Sequence, residues 1–355
     1  MQCLPAIIRL RQTRPTAEIH FLTRSDFADV VDAFRATDSL SRLDRVWRLD
    51  RVSGWRGLWR LIRELQQERF THIYDAHSNL RTFFIRTLLR WNSRAQIVRR
   101  PKNRFKRFLL FYLRKNLFSA PFRGVDSYLD PLRKWLGEST EKTSVATCRF
   151  DFSRVELPIV SAGARSLTDQ NYIAIVPGAA WPLKEWPKEH WQKLLRNLSL
   201  LRTTAAHSIV VLGGKDDRIC AEICDGLNAI GPTASAPTTI VPCLNLAGQL
   251  TWLQCLKIIE HASVVVAADT GLMHAADLLA RPTLALIGPT AFGFPQKLSS
   301  RVLDVPLSCR PCTKDGRGRC RNSEYKACMN RIEPERVADA VREIVNIPMN
   351  AHVSH

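Results

Sequence analysis

The sequence predicts an α/β protein built from two doubly wound, Rossmann-like domains that face a cleft. Along most of the 355 residues, short apolar runs rich in β-branched side chains alternate with longer amphipathic segments. This alternation is typical of βαβ units in a parallel sheet. A chain of this length exceeds what one ordinary hydrophobic core supports. We place the first domain at residues 1–160 and the second at residues 165–347.

The first half of the chain alternates less regularly than the second and has a helix before its first strand. The predicted strands are 18–22, 45–49, 71–74 and 96–98, and the predicted helices are about 4–11, 53–68, 80–91 and 104–117. Residues 138–167 are polar and Ser/Thr-rich, which indicates a passage between the two domains.

The second half shows the alternation more cleanly. The predicted strands are 172–176, 209–212, 244–246, 264–268 and 283–287, and the predicted helices are 188–198, 216–229, 251–261, 271–280 and 333–345. Pro334 suits the first turn of the last helix. No Gly-x-Gly-x-x-Gly sequence follows any predicted strand, which excludes the dinucleotide fingerprint.

Charge is distributed unevenly along the chain. The net charge is +19, residues 1–135 hold 28 Lys/Arg against 12 Asp/Glu, and residues 76–125 hold thirteen basic residues and no acidic one. This surplus implies an anionic partner, either a nucleic acid or an anionic membrane surface, with a merely solvated basic face as the alternative. Because no zinc-finger spacing, RNP-like strand or basic zipper is present, we expect no nucleic acid partner.

Residues 104–118 favour a membrane surface as the partner. Basic residues are interleaved there with apolar and aromatic ones, so a helix in this segment is able to lie in the headgroup plane. A core helix with a basic outer face is the alternative. The basic residues that we expect at an acceptor or membrane surface are Arg81, Arg99, Arg100, Lys102, Arg104, Lys106 and Arg107.

Two further features of the sequence predict a cytoplasmic protein. No apolar run approaches the ~18 to 20 residues of a spanning helix. The first residues lack the pattern of a signal peptide. In that compartment we expect the ten cysteines to be thiols or metal ligands rather than disulfides.

Residues 263–290 carry the strongest functional signal. They predict a buried strand, a sharp turn at Asp269-Thr270-Gly271, a helix that contains His274, and a second buried strand. Ligands of parallel sheets bind outside the carboxyl ends of the strands, and a helix that starts there directs N–H groups and a positive dipole end at the ligand. The segment predicts a phosphate site, since a simple helix cap accounts for Asp269 and Thr270 but not for His274.

Two further strand ends add to this predicted site. After the strand at 172–176, small residues turn closely and Lys184 follows, where it is either a point charge for phosphate or an ordinary exposed loop lysine. After the strand at 209–212, Asp216 and Asp217 open a helix. An acid at this place either accepts hydrogen bonds from ribose hydroxyls or stabilises the helix N-terminus.

Together these motifs resemble the bacterial lipopolysaccharide heptosyltransferases of glycosyltransferase family 9, which have the GT-B architecture. The resemblance is specific in 173–191 and 245–290, looser in 211–217 and 309–345, and extends to 4–23. It implies an inverting glycosyltransferase that moves heptose from ADP-heptose to the lipopolysaccharide inner core, on a lipid A-linked acceptor and without a required cofactor. The alternative is a non-catalytic, degenerate member that binds a nucleotide-sugar or a lipopolysaccharide precursor.

The resemblance also assigns roles to the residues of the strongest motif. Lys184 matches the lysine that neutralises the diphosphate of the donor, and Asp269 matches the acid that holds the sugar hydroxyls. Thr270 and Gly271 match the turn whose backbone amides meet the diphosphate, and His274 matches the histidine beside it.

Four other positions receive less specific roles from the resemblance. Ala180 stands where several members have a threonine, so one contact to phosphate is expected to be missing. Leu250 is near the adenine-contacting position. Asp217, and less securely Asp216, matches a ribose-binding acid.

One departure from the family concerns the general base. Family members begin with a strand and a Gly-Asp loop before the helix that starts here at Leu4, and the aspartate of that loop is the expected base. The stretch from Met1 to Arg14 contains no acidic residue. The expected base therefore belongs to a position upstream of Met1, and we expect weak transfer by the chain as written. Asp75 and His77, after the third predicted strand, are the remaining catalytic candidates.

Four cysteines in a basic loop form a candidate metal site. Their pattern is Cys309-x2-Cys312-x7-Cys320-x7-Cys328, which suggests a structural zinc, since thiolates are typical zinc ligands. Only one Cys-x2-Cys pair is present, so free thiols or an ordinary surface loop are the alternative.

Overall fold

The computed structural model describes residues 1–37, 39–118, 123–137, 145–158, 167, 171–199, 208–229 and 241–346. These residues fall into two compact units. The first unit comprises Gln2–Arg107 and Gly124–Arg154, and the second comprises Met1, Phe108–Arg123 and Val155–His355.

The division differs from the predicted domains in three places. Met1, the segment Phe108–Arg123 and the stretch from Val155 to residue 160 cluster with the second unit, although the sequence analysis places all three in the first domain. Of the predicted passage at 138–167, only 145–158 and 167 are described, and neither contains a regular strand.

The first unit alternates helices and strands, and it contains all four strands that the sequence predicts, each within two residues of its predicted ends. Its elements are α1 (Leu4–Thr13), β1 (His20–Arg24), α2 (Ala28–Arg35), β2 (Arg45–Leu49), α3 (Gly54–Gln67), β3 (His72–Asp75), α4 (Leu80–Ser93), β4 (Gln96–Arg99), α5 (Arg104–Tyr112) and α6 (Asp126–Leu136). Of these, α5 begins in the first unit and ends in the second.

The strands of the first unit form two parallel pairs rather than one sheet. β1 pairs with β2, and β3 pairs with β4. In a doubly wound sheet with the order 3-2-1-4-5, such pairs flank a central strand. Within the described residues, no strand joins the two pairs.

Three helices of this half differ from the prediction. α2 and α6 are not predicted, because α2 has only eight residues and α6 contains an internal proline, Pro131, which normally disfavours a helix. α5 ends at Tyr112 rather than at residue 117. Beyond α5, Phe118 packs against Phe292 in the second unit, with ring centroids 5.5 Å apart.

The second unit is built around a six-stranded parallel sheet, which contains the five strands that the sequence predicts and a sixth strand that it does not. Its elements are β5 (Tyr172–Val176), α7 (Lys188–Ser199), β6 (Ser208–Val211), α8 (Ile219–Asn228), β7 (Cys243–Asn245), α9 (Trp252–His261), β8 (Val264–Ala268), α10 (Gly271–Leu278), β9 (Thr283–Leu286), β10 (Ser300–Leu303), α11 (Ala327–Asn330) and α12 (Pro334–Asn346). Only β10 and α11 are additions to the predicted elements. The strand order is β10-β9-β8-β5-β6-β7.

This order places a topological switch point between β5 and β8. The chain starts at β5, moves outward through β6 and β7, and returns to the other side of β5 for β8, β9 and β10. Every residue of β5 and β8 is buried, and the helices α10 and α12 both pack against β8. Open parallel sheets bind ligands at such a switch point, outside the carboxyl ends of the strands.

One prediction about the cysteines is wrong. Cys224 of α8 and Cys243 of β7 form a disulfide, whereas the sequence predicts thiols or metal ligands. The packing of α8 against β7 brings the two Cα atoms to 5.5 Å, a separation that is ordinary for a disulfide. The other eight cysteines are free.

No helix within the described ranges has the length and apolar character needed to cross a membrane.

Candidate functional site

The residues that follow β5 and β8 meet at the switch point of the second unit. After β5, the chain turns through Gly178 into a short 3₁₀ turn, Pro182–Lys184. The Lys184 ammonium donates a hydrogen bond to the backbone carbonyl of Asp269, directly after β8. Its Nζ also lies 3.4 Å from Oδ2 of the Asp269 side chain. The structure thus brings together the two residues that the sequence selects from separate motifs.

Asp269 is a buried carboxylate with several partners. The Thr290 hydroxyl donates to its Oδ2 at 2.7 Å, and His274 Nε2 lies 3.5 Å from its Oδ1. Burial alone would raise the pKa of Asp269, but the hydrogen bond from His274 and the charge of Lys184 outweigh burial and hold the pKa well below its usual range. Asp269 is therefore ionised at neutral pH and fixes the cation of Lys184 at the crevice.

α10 starts at the place where the sequence predicts a phosphate site. Thr270 is the N-cap, and its hydroxyl accepts a hydrogen bond from the backbone N–H of Met273. The first N–H groups of a helix lack intrahelical acceptors, so the turn at Thr270-Gly271 directs amide donors and the positive dipole end outward from the strand edge.

Gly271 lies under the indole of Trp252, a contact that sequence reasoning did not identify. A Cβ atom at Gly271 would lie 3.0 Å from the Trp252 ring. A larger residue at this place would force the indole away from the start of α10. Trp252 opens α9, whose N-cap is Thr251. Leu250, which the resemblance places near adenine, is half-buried immediately before that cap.

A second turn supports the pair formed by Lys184 and Asp269, and it also went unidentified in the sequence. The backbone N–H groups of Cys312 and Thr313 donate to the carbonyl of Pro289, next to Thr290. A Cβ atom at Gly316 would lie 2.6 Å from Cγ of Lys184, and the Arg317 guanidinium lies 4.4 Å from the Trp181 ring centroid. The loop that carries the cysteines therefore packs on the stem of Lys184.

Asp217 lies at the carboxyl end of β6, beside the crevice. Its Oδ2 accepts a hydrogen bond from the Gly214 N–H at 2.7 Å, and a Cβ atom at Gly178 would lie 2.6 Å from its carboxyl carbon. The two glycines let the loops after β5 and β6 close around this carboxylate. Asp216 and Ala180 are exposed at the same strand ends.

The two catalytic candidates of the first unit have different surroundings. Asp75 is 5% exposed; its carboxylate accepts from the N–H groups of His77 and Ser78 and from the Thr82 hydroxyl. Arg86 Nε lies 3.3 Å from it, in an ionic contact without hydrogen-bond geometry. Asp75 thus anchors the start of α4. The His77 side chain is exposed.

The base that the resemblance implies, upstream of Met1, lies outside the described residues. At the start of the described chain, Met1 is half-buried and is followed by a turn that leads into α1.

The residues of the predicted basic surface divide into exposed ones and ones packed within the unit. Arg81, Arg99, Lys102, Arg104 and Lys106 are exposed. Arg100 is engaged within the unit, because its Nε donates to the Ser127 hydroxyl at 2.8 Å and its guanidinium lies 3.8 Å from the Tyr128 ring centroid.

Arg107 is the other engaged residue of that surface. It is half-buried, and burial lowers the pKa of its guanidinium.

The four cysteines of the candidate zinc site lie in one neighbourhood of the second unit. Burial, followed by the nearby thiols of Cys309 and Cys320, raises the pKa of Cys312. Among the described residues, the only group of three or more metal-ligand side chains with all ligand atoms within 4.8 Å of one another is formed elsewhere. A structural zinc at the four cysteines therefore stays a prediction.

That other group consists of Glu18, His20 and Glu68. The Trp47 indole donates to His20 Nδ1 at 3.2 Å, which places the proton of the neutral ring on Nε2, where Glu18 accepts it at 2.8 Å. Glu68 is paired with Arg45. The hydrogen bonds and the ion pair account for the proximity of the three side chains. A metal would need an unprotonated Nε2 on His20, but this nitrogen donates its proton to Glu18.

Comparison with known proteins gives one family. The sequence model of glycosyltransferase family 9 (heptosyltransferase) matches residues 58–326. The lipooligosaccharide heptosyltransferase 2 of Haemophilus ducreyi is 30% identical over 177 residues, which cover 49% of this chain and 47% of that protein. The chain thus aligns with about half the length of this curated relative.

Solved structures agree on the fold. The structure of E. coli ADP-heptose lipopolysaccharide heptosyltransferase II superposes with a TM-score of 0.65 at 18% identity, covering 97% of this chain and 95% of that one. E. coli heptosyltransferase WaaC with ADP gives a TM-score of 0.60 at 18% identity, covering 97% and 95% of the two chains. These similarities confirm the predicted GT-B fold. With a family match that covers more than half of its length, the chain belongs to glycosyltransferase family 9, the heptosyltransferases.

Proposed function

We propose that this protein transfers heptose from ADP-heptose to the inner core of lipopolysaccharide, with inversion at the anomeric carbon. The main support for the proposal is the ion pair between Lys184 and Asp269 at the β5/β8 switch point. The family to which the chain belongs adds to this support. A relative was solved with ADP, and others bear the names of lipopolysaccharide heptosyltransferases. These relatives support the donor and the acceptor proposed for this chain.

In the proposed reaction the diphosphate of the donor is the leaving group. The acceptor hydroxyl oxygen forms a bond to the anomeric carbon as the bond to the diphosphate breaks, and a base takes the hydroxyl proton. Negative charge then grows on the leaving diphosphate. Lys184 and the amides at Thr270-Gly271 are placed to stabilise that charge. The Lys184 ammonium has three N–H donors. One of them donates to the backbone carbonyl of Asp269, and we propose that another donates to a phosphate oxygen of the donor.

Asp269 has two roles in this proposal. It fixes the position of Lys184, and it offers carboxylate oxygens to the hydroxyls of the sugar. Asp217 is proposed as the ribose acceptor, because it lies at the end of the next strand on the other side of β5. We propose no cofactor for the transfer step, and no step is assigned to the four cysteines.

For the proton acceptor, we propose His77 over Asp75. The His77 side chain is exposed beyond β3, whereas the carboxylate of Asp75 is occupied by α4.

The proposed acceptor is anchored to lipid A, and the proposed location is the inner face of the cytoplasmic membrane. We propose that the segment around α5 contacts anionic lipid. Phe105, Phe108 and Tyr112 lie on one face of that helix and are 49% exposed or more, beside the exposed Lys102 and Arg104.

Calorimetric titration with ADP tests the donor site. Lys184→Met is expected to weaken ADP binding by about tenfold to a hundredfold, since it removes a charged hydrogen bond. The matched control is Lys188→Met, which removes a surface lysine paired with Glu222 and is expected to change affinity by less than about twofold. Equal affinities of the wild type and Lys184→Met would remove Lys184 from the site. ADP binding without any transfer would favour the non-catalytic alternative.

A further inference from the structure

α3 and α4 of the first unit expose an unusual number of large apolar side chains. Trp55 and Trp59 of α3 are 60% and 51% exposed, and Trp91 of α4 is 84% exposed. We call the whole set the aromatic face; its members are Trp55, Trp59, Leu80, Phe83, Phe84 and Trp91.

Helical periodicity explains why these side chains point outward together. Trp55 and Trp59 are four residues apart on α3, and residues 80, 83, 84 and 91 recur at helical spacing on α4. The opposite sides of both helices are buried against each other and against β2, through residues that include Leu58, Ile62 and Leu89. The two helices join on the outer side, where the rings of Trp55 and Phe84 meet edge to face with centroids 5.8 Å apart.

The charge around the aromatic face is mostly positive. The exposed arginines of the two helices are Arg56, Arg60, Arg63, Arg81 and Arg90, and Glu64 is the one acidic residue in either helix. The sixth arginine, Arg86, turns inward to Asp75. Val52, just before α3, is 94% exposed. The face is therefore apolar at its centre and cationic around it.

We propose that the aromatic face of α3 and α4 docks on an anionic membrane surface. Tryptophan rings favour the membrane–water interface, and arginines near an anionic leaflet are attracted to lipid phosphates. A nucleic acid would be attracted by the arginines, but it offers nothing to Leu80 or Val52. This inference rests on the exposure and charge of α3 and α4, and is independent of both α5 and the proposed reaction.

Co-sedimentation of the full chain with vesicles tests the proposal. Vesicles that contain phosphatidylglycerol are compared with vesicles of phosphatidylcholine alone, at low and high salt. Arg56→Glu with Arg60→Glu is expected to weaken binding at least about thirtyfold, since each cation contributes about fivefold. Trp55→Ser with Trp59→Ser is expected to weaken binding more than about tenfold, including at the salt concentration that screens the arginines.

Two control pairs match these changes on the second unit. Arg196→Glu with Arg336→Glu produces the same change in net charge at exposed positions. Leu298→Ser with Tyr325→Ser removes two apolar side chains that are 98% and 60% exposed. Both control pairs are expected to leave vesicle affinity within about threefold of the wild type.

Loss of anionic-vesicle binding in the two α3 variants but not in the controls supports the proposal. Equal losses of vesicle binding in variants and controls would show an effect of net charge alone and would overturn the proposal. Unchanged vesicle binding in the two α3 variants would also overturn it. Variants that lose RNA binding but keep vesicle binding would show a nucleic acid face instead. ADP titration of the same proteins reports the donor site separately. If the serine variant fails to fold, the arginine variant, which retains both tryptophans, decides the question.

Discussion

At the scale of single residues, Asp269 shows how a buried charge is stabilised at the predicted site. Its carboxylate has a hydroxyl donor, an ammonium and an imidazole around it, from three separate parts of the chain. Breaking a buried ion pair by removing one partner costs about 3–5 kcal/mol, because the other charge is left without compensation. Asp269 therefore contributes to stability as well as to the proposed donor site.

The free energy of unfolding tests this role through its pH dependence. The pKa of Asp269 is lowered in the folded protein, so its stabilising contribution is present above its ordinary pKa of 3.8 and is lost as the pH falls below that value. We expect Asp269→Asn to destabilise the protein by about 3 kcal/mol at neutral pH and by progressively less in acid. The control, Asp216→Asn, alters an exposed acid. A pH-independent difference between the wild type and Asp269→Asn would contradict the assignment.

Sequence reasoning selects candidate site residues that follow predicted strands, because the carboxyl ends of parallel strands share one edge. Lys184, Asp269 and His274 were found in this way. Thr290 follows β9 in the same manner, so its place after a strand could also have marked it as a candidate. Gly316 and Trp252 were missed for a different reason: their contacts with Lys184 and Gly271 depend on loop packing that has no periodic pattern.

At the scale of elements, Asp75 ties the end of β3 to the start of α4. We expect Asp75→Asn to lower the free energy of unfolding by about 1–3 kcal/mol, because one oxygen still accepts amide hydrogen bonds while the ionic contact with Arg86 is lost. Transfer per folded molecule is expected to be unchanged. A loss of transfer by about a hundredfold in a folded Asp75→Asn protein would reassign the base to Asp75.

His77→Ala is the companion experiment at this end of β3. If His77 takes the acceptor proton, transfer falls about 10²- to 10⁴-fold while ADP affinity and stability stay at wild-type values, since the side chain is exposed. Transfer at the wild-type rate would rule His77 out as the base.

A further element-scale prediction concerns the disulfide between α8 and β7. Thiol titration of the unfolded protein, prepared without reductant, is expected to give eight thiols, since Cys224 and Cys243 are joined. Ten thiols would contradict the disulfide. The sequence could not predict this pair. The expected cellular compartment gives one prediction for all ten cysteines, and it does not tell which helix and strand pack against each other.

The elements of the second unit were easier to predict than those of the first. β5 and β8 are buried on both faces, so they appear as unbroken apolar runs whose ends are sharp. In the first unit, β2 has a single fully buried residue, Trp47, and β1 is half-buried throughout. α2 and α6 escaped prediction because shortness and an internal proline weaken the helical pattern.

At the scale of the whole molecule, the excess of positive charge is concentrated in residues 1–135 and lies on at least two surfaces, the α5 segment and the aromatic face. We expect Lys102→Glu, Arg104→Glu and Lys106→Glu together to weaken binding to anionic vesicles by at least about a hundredfold at low salt. Co-sedimentation measures this loss. If the triple variant binds as well as the wild type, α5 is not a membrane contact, and the aromatic face alone is left to account for attachment.

The central claim is that the crevice at the β5/β8 switch point binds the diphosphate of ADP-heptose. A crystal structure of the full chain with ADP-heptose tests it most directly. We expect the diphosphate within hydrogen-bond distance of Lys184 Nζ and of the backbone amides at Thr270-Gly271, with the ribose toward Asp217. ADP-heptose bound elsewhere on the chain, with these groups unoccupied, would contradict the claim.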